Sequence, residues 1–248
     1  MTIPTYLPYF VLSGTAAMLI AVLYGLNRAL AAAAWPTQDR SRAVVVSAAI
    51  LIGWLAVSIA LAASGFYHVT SSAIPTLQYG LVLPILIGVF LIFRSETVRR
   101  ILDAVPQPWL VGVQLYRALG AVFLILYAAG RLPSLFAWPA GIGDIAIGLS
   151  APLVGLAYAQ APREAVGLVR AWNVLGILDL VVAVTTGFLT APSLISPIEV
   201  HPTSELMTML PMVLIPVYLV PLSIVLHIAS LAKLHRDEAR VWTAHGSA

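Results

Sequence analysis

Cysteine is absent from the chain, and charged side chains are scarce. The lack of thiols excludes disulfides, thiolate metal sites, iron–sulfur clusters and cysteine nucleophiles. Charged residues make up 9% of the sequence and hydrophobic residues 60%, and the mean hydropathy is +0.97, whereas soluble domains carry about 25% charged residues. This composition predicts an integral membrane protein whose main partner is the lipid bilayer.

Long apolar stretches fill most of the 248 residues. A helical crossing needs roughly 20 apolar residues, and the strand-like alternation of a membrane barrel is not seen. We therefore expect an all-α, polytopic bundle of seven transmembrane helices, with residues 1–248 forming a single transmembrane domain. The predicted spans are residues 6–27, 43–66, 74–93, 109–129, 134–158, 171–190 and 206–232.

Basic residues are distributed unevenly between the two ends of these helices. If the N-terminus is outside, 11 of the 13 Lys and Arg residues fall in cytoplasmic loops and the C-terminal tail, while Arg131 is outside and Arg117 lies in the membrane. Because short loops rich in Lys and Arg stay in the cytoplasm, the sequence predicts an N-out, C-in protein of the cell membrane, and a bacterial inner membrane is favoured. The basic residues are scattered over short loops, so nucleic acid is not expected as a partner.

Two segments suggest an internal repeat. The stretches Ile74–Pro84 and His201–Pro211 share Pro-Thr and Leu-Pro at the same spacing, which would give a parallel 3+1+3 plan of helices. The alternative is that Pro-Thr marks an ordinary helix start. The 3+1+3 layout resembles the sugar-transporting seven-helix family with a Pro-Gln motif, but the Pro-Gln here, Pro106-Gln107, lies in a predicted loop, so the similarity is one of topology alone.

Three full charges interrupt the predicted spans at a similar depth. Arg117 and Asp179 each lie about 12 Å from the cytoplasmic end of their helices, and Asp144 about 15 Å from the external end of its helix. Each isolated charge would cost about 3 kcal/mol in the centre of a bilayer. We therefore expect the three side chains to face protein and to pair with one another in one layer.

Helical spacing extends this layer to a candidate substrate or proton site. Gln114 shares the face of Arg117, and small residues such as Gly141 and Gly148 share the face of Asp144, whereas Asn173 and Tyr116 fall on neither face. One Arg against two Asp leaves an excess carboxylate that we expect to bind a proton near neutral pH. The alternative interpretation is a set of ion pairs that only fixes helix register.

The last predicted helix contains Pro211, Pro216 and Pro221. Each proline removes a backbone donor, so a bent helix with freed carbonyl groups is expected. The bend could form a cavity wall, or it could only shape helix packing.

Four side chains on the predicted external side are weak candidates for a metal site: His68, Glu199, His201 and Glu205. Imidazole and carboxylate groups suit Zn or Cu, but no close ligand motif is present. The alternative is that they are solvated loop residues.

No cofactor is identified from the sequence. His227 lies near the predicted cytoplasmic end of the last helix and has no histidine partner at that depth, so a bis-His haem is not expected. The plan of seven helices with a buried Arg and two Asp resembles microbial rhodopsins, yet the family's retinal-bearing Lys has no counterpart between Glu205 and Ala232. Retinal is therefore argued against.

Three functional hypotheses remain, and the first is favoured. The protein could be a transporter or channel for a small solute or proton that uses the mid-membrane Arg/Asp/Asp site. It could instead be a structural or assembly subunit of a membrane complex, or a homo-oligomer, with the charges as interhelical pins. A membrane-embedded metal-dependent enzyme or oxidoreductase is the third and less favoured possibility.

Overall fold

The protein is a bundle of long helices. The structure, a computed structural model, describes residues 5–68, 75–193 and 198–246, with side chains up to residue 239. Every regular element in this part of the chain is helical, which confirms the all-α prediction. The α-helices are α1 (Leu7–Ala32), α2 (Thr37–Ala63), α3 (Leu77–Arg94), α4 (Glu96–Ala104), α5 (Gln107–Gly112), α6 (Ala121–Ala128), α7 (Ser134–Gln160), α8 (Pro162–Leu189) and α9 (Val220–Gly246).

Seven helical segments are long and apolar enough to cross a membrane, so the chain is a multi-pass membrane protein by composition and length. Five of them are formed by α1, α2, α3, α7 and α8. The fourth span, Gln107–Ala128, joins α5 to α6, and the seventh, Ile215–Ala239, begins before α9. We call the end of the bundle where α1 begins the amino face, and the end where α1 finishes the carboxyl face.

The sequence predicted one continuous α-helix for the fourth span, but the structure shows an interrupted one. A 3₁₀-helix, Val113–Gly120, separates α5 from α6. With three residues per turn, every third side chain lies on one line, and the line through Gln114, Arg117, Gly120 and Phe123 is buried. A 3₁₀ run of this length is uncommon, and Arg117 lies inside it.

The seventh span begins later than the predicted stretch 206–232. A 3₁₀ turn, Glu205–Thr208, leads through further turns to a π-helical turn, Ile215–Leu219, and then to α9. Pro211 lies in the turns, and Pro216 lies in the π-helical turn. Because α9 continues to Gly246, His227 is farther from the carboxyl face than the sequence predicted.

The two segments of the suggested repeat differ in structure. Pro84 lies inside α3, whereas Pro211 precedes any regular helix of the last span. Ile74 lies outside the described residues. Pro75 and Thr76 directly precede α3, which fits the alternative interpretation of Pro-Thr as a helix start.

Helix α7 is the centre of the bundle, and α2 lies at its edge. Helix α7 packs against α5, the 3₁₀-helix, α6 and α8. Its close approach depends on glycines: a Cβ at Gly148 would overlap the backbone of Ala118, and one at Gly155 would lie 3.0 Å from the carbonyl oxygen of Pro108. The predicted small-residue face of α7 is therefore buried against the fourth span.

The connection between α3 and the fourth span forms the short helix α4. The Ser95 hydroxyl oxygen caps it by accepting a hydrogen bond from the Val98 N–H at 3.3 Å. Leu102 is buried and Val98 and Ile101 are partly buried, whereas Arg99 and Arg100 are exposed. Helix α4 is thus amphipathic, with its apolar side against the bundle.

Candidate functional site

Arg117 is the centre of a buried polar cluster formed by the fourth span, α7, α8 and α9. Its Nε donates to Asp144 Oδ1 at 2.8 Å, and its Nη2 donates to Asp179 Oδ2. Its Nη1 donates to the carbonyl oxygen of Gly176 at 3.1 Å and lies 3.2 Å from His227 Nε2. The predicted meeting of Arg117, Asp144 and Asp179 in one layer is confirmed.

Arg117 has both aspartates as partners, rather than one of them. Both carboxylates pair with the guanidinium group, through different nitrogen atoms. The Arg117 side chain is 2% exposed, and those of Asp144 and Asp179 are each 15% exposed. Because a guanidinium group keeps its proton in proteins, the cluster has a formal charge of −1 when both carboxylates are ionised.

Glycines make room for each partner of Arg117. A Cβ at Gly120 would overlap the Asp144 side chain, and one at Gly143 would overlap the Asp179 carboxylate. A Cβ at Gly176 would overlap the His227 ring in the same way. These glycines allow the four helical segments to approach closely enough for the polar groups to meet.

His227 continues the cluster, although the sequence placed it at the end of a helix. The ring is fully buried, and its Nδ1 lies 2.9 Å from Asn173 Oδ1. Arginine nitrogens only donate and an amide oxygen only accepts, so Nε2 accepts from Arg117 and Nδ1 carries the hydrogen. His227 is therefore a neutral link between Arg117 and Asn173.

The chain of hydrogen bonds runs from Asn173 toward the carboxyl face. The Asn173 amide nitrogen donates to Ser230 Oγ at 2.9 Å, and the Gln107 amide nitrogen donates to the same hydroxyl at 2.6 Å. Gln107 Oε1 is buried and has no partner in the part of the chain that the structure describes. Asn173, Ser230 and Gln107 are all buried, so this path is closed to bulk water.

Gln114, one 3₁₀ turn before Arg117, forms its side-chain hydrogen bonds with α9. Its amide oxygen accepts from Ser223 Oγ at 2.7 Å, and its amide nitrogen donates to the Ser223 carbonyl oxygen at 3.1 Å. The Tyr116 hydroxyl lies 2.6 Å from Ser223 Oγ and 3.0 Å from the carbonyl oxygen of Leu219. Tyr116, which helical spacing had excluded, therefore belongs to the same layer as Gln114.

Two apolar cavities meet at Asp144. The first, about 70 Å³, extends from the start of α3 near the amino face and is lined by Phe123, Phe136 and Phe188. The second, about 50 Å³, reaches Arg117 between α1 and the fourth span. Asp144 lines both cavities, whereas Asp179 lines neither.

The candidate metal ligands are only partly brought together. His68 Nε2 lies 3.1 Å from Glu205 Oε1 at the amino face, and Glu199 and His201 are exposed. Among the side chains of residues 5–68, 75–193 and 198–239, no three His, Asp or Glu form a group that could hold a metal ion.

Residues 74–235 match a family described as "Domain of unknown function (DUF8737)". The chain belongs to this family. The match covers α3 through most of α9, so Asp144, Gly176, Asp179 and His227, which bind the Arg117 side chain, lie within the DUF8737 region. No curated protein and no solved structure matches the chain.

Several residues of this DUF8737 site were missed by sequence reasoning. His227, Asn173 and Ser230 carry weak signals, since a polar side chain within an apolar stretch of a membrane protein is costly unless it is paired. The glycines that face the site carry no signal by themselves, because glycine is common in membrane helices.

Proposed function

We propose that the protein is a transporter or channel for a small solute or proton, with Asp144 as its binding group. The observation that carries this proposal is that Asp144 lies where the two cavities meet, while its Oδ1 is held by Arg117. Arg117 and Asp179 lie behind it, and Gln114 binds α9 beside it. A cavity that ends at a carboxylate near the middle of a membrane is typical of transport sites.

The chemistry of the cavity favours a cation or a proton. The lining is mostly apolar and aromatic, and Ser204 and Thr208 add hydroxyl groups toward the amino face. A cation or proton that binds Asp144 would remove the formal charge of −1 and weaken the pair with Arg117. Arg117 would keep its bonds to Asp179, Gly176 and His227.

The polar chain beyond Arg117 does not serve as a proton path in this proposal. Arg117 does not release a proton, and the Asn173 side-chain amide does not relay one. Passage to the carboxyl face would instead need a change in helix packing. The irregular 3₁₀ and π-helical segments beside the cavities are the places where such a change would cost least.

We also infer that the carboxyl face is cytoplasmic, in a cell membrane such as a bacterial inner membrane. The helix ends at this face, together with the short helix α4, contain most of the Arg residues, whereas Arg131 lies at the amino face. A reporter fused within the loop between α7 and α8 should be cytoplasmic, and one fused at Gly130 external. The opposite result would show that the amino face, and not the carboxyl face, is cytoplasmic. The parallel 3+1+3 repeat stays a prediction.

Flux measurements in liposomes test the proposed function. Purified wild-type protein should carry protons or small monovalent cations, and Asp144→Asn should lose this flux while it remains folded. Asp179→Asn is the comparison variant, and its folded fraction should keep the flux, because Asp179 does not line a cavity. Loss of folding is checked by thermal unfolding of the same samples. Flux that is equal in wild type and Asp144→Asn would contradict the proposal.

A structural or assembly subunit is the second candidate, and the way Arg117 is enclosed favours it. Its guanidinium group is bonded to Asp144, Asp179, the Gly176 carbonyl oxygen and His227, and the side chain is 2% exposed. A partner or a second copy would then bind the exposed apolar face of α2. Absence of flux, together with mutants that only unfold at lower temperature, would favour this candidate.

A further inference from the structure

An apolar cleft, separate from the two cavities at Asp144, lies on the carboxyl-face side of the bundle. It has a volume of about 270 Å³ and is lined by α1, α2, α3, α4, the fourth span and α9. Its lining includes Leu26, Leu51, Leu91, Ile101 and Val225, and Ser47 is the polar side chain among its lining residues. A dry apolar cleft within a membrane suits a hydrocarbon chain.

Three arginines, each on a different helix, lie on the carboxyl-face side of residues that line this cleft. Arg40 precedes Ser47 by seven residues, or two turns, and so shares its face of α2. Arg94 follows Leu91 by three residues at the end of α3. Arg100, on α4, has its guanidinium carbon 5.5 Å from the centre of the Trp35 ring, and Trp35 packs on Leu26 and Val105 of the cleft wall.

These arginines differ from two other arginines at the same face. Arg170 pairs with Glu238, and Arg236 pairs with Asp103. Arg40, Arg94 and Arg100 form no ion pair with a carboxylate of the described residues. Their positive charge is therefore available to an anion at the mouth of the cleft.

We propose that this cleft binds an anionic glycerophospholipid. One acyl chain lies between α2 and α3, and the phosphate group is held by Arg40, Arg94 and Arg100. Arginine matches phosphate oxygen geometry and binds it through paired N–H groups. Basic pockets between membrane helices recognise anionic lipid headgroups by the same chemistry. This site is independent of the proposed transport function.

Lipid retention in native mass spectrometry tests the proposal. Purified full-length protein is mixed in detergent with phosphatidylglycerol or with phosphatidylcholine of the same chain length. The wild type should retain phosphatidylglycerol in preference to phosphatidylcholine. Arg40→Gln and Arg94→Gln should each lower that preference about fivefold, because each removes one cation near the headgroup.

Variants at the cleft wall separate chain binding from headgroup binding. Ser47→Phe should fill the cleft and lower retention of both lipids, while Val46→Phe, at a neighbouring exposed position of α2, should not. Arg163→Gln is the control for charge at the carboxyl face, because Arg163 lines a different groove. Equal retention of both lipids by the wild type, or retention unchanged in Ser47→Phe, would overturn the proposal.

Discussion

Helix α2 and the fourth span show that the most apolar helix is not the one at the centre. In the most apolar 18 residues of α2 the mean hydropathy is 2.6, and 6% of that stretch is buried. In the corresponding stretch of the fourth span the mean hydropathy is 1.8, and 50% is buried. Apolar side chains gain little by leaving lipid, whereas buried charges and amides need protein partners. Polar residues, rather than hydropathy, therefore mark the inner helices of this bundle.

The contacts of the two helices differ accordingly. Helix α2 packs on the rest of the protein, and the rings of Trp54 and Tyr218 have their centres 4.5 Å apart. Its Leu51 carbonyl oxygen also accepts a hydrogen bond from the Tyr218 hydroxyl. The fourth span is held by the ion pairs of Arg117 and the bonds of Gln114. Matched substitutions in the two helices test this contrast.

The largest difference is expected for arginine substitutions. Arg117→Gln should lower the free energy of unfolding by about 3–5 kcal/mol, because it leaves two carboxylates without their cation. Arg42→Gln, at an exposed position of α2, should change it by less than about 0.5 kcal/mol. Thermal unfolding in detergent measures both. Equal unfolding temperatures for the two variants would contradict the contrast.

Glycine substitutions should give the next largest difference. Gly143→Ala adds a Cβ where Asp179 lies, and overpacking of this kind costs about 1–3 kcal/mol. Gly53→Ala in α2 meets nothing within 4 Å and should be neutral or stabilising, by up to about 1 kcal/mol. The two variants are compared by chemical or thermal unfolding. A destabilised Gly53→Ala would show that α2 is packed more closely than the structure indicates.

The two aspartates sharpen the comparison on the packed side. Asp179→Asn should be destabilising by about 1–3 kcal/mol, because its carboxylate is bonded to Arg117 and lines neither cavity, so its surroundings have little room to rearrange. Asp144→Asn should cost less, since Asp144 faces two cavities that can rearrange around an amide. Unfolding temperatures of the two variants, measured in one detergent, check the order. Equal losses of stability in the two variants would show that lining a cavity makes no difference to the cost of replacing the carboxylate.

The smallest effect is expected for the neutral pair Gln114 and Ser223. A double-mutant cycle with Gln114→Ala and Ser223→Ala should give a coupling energy of about 0.5–1.5 kcal/mol. Thr185→Ala, at an exposed position of α8, should be additive with Ser223→Ala. A coupling near zero for the first pair would mean that Gln114 contributes little to holding the fourth span against α9.

Part of the site was predictable from the sequence because depth in a membrane follows from the rise of a helix. Arg117, Asp144 and Asp179 come from three spans, and counting residues from the span ends placed them in one layer. The faces of the fourth span were harder to predict than the depth, since its 3₁₀ geometry changes which residues share a face. His227 was misplaced because α9 continues to Gly246, beyond the predicted end of the span at residue 232.

The sequence by itself determined the class of the protein, its seven spans and the shared depth of three charges, because hydropathy and helix length are local properties. Only the tertiary structure decided that Arg117 pairs with both aspartates, that His227 and Asn173 extend the cluster, and that Asp144 faces the cavities. These features depend on how each helix is rotated about its axis. That rotation is fixed by close contacts between helices, such as those at Gly143 and Gly176, which no single stretch of sequence contains.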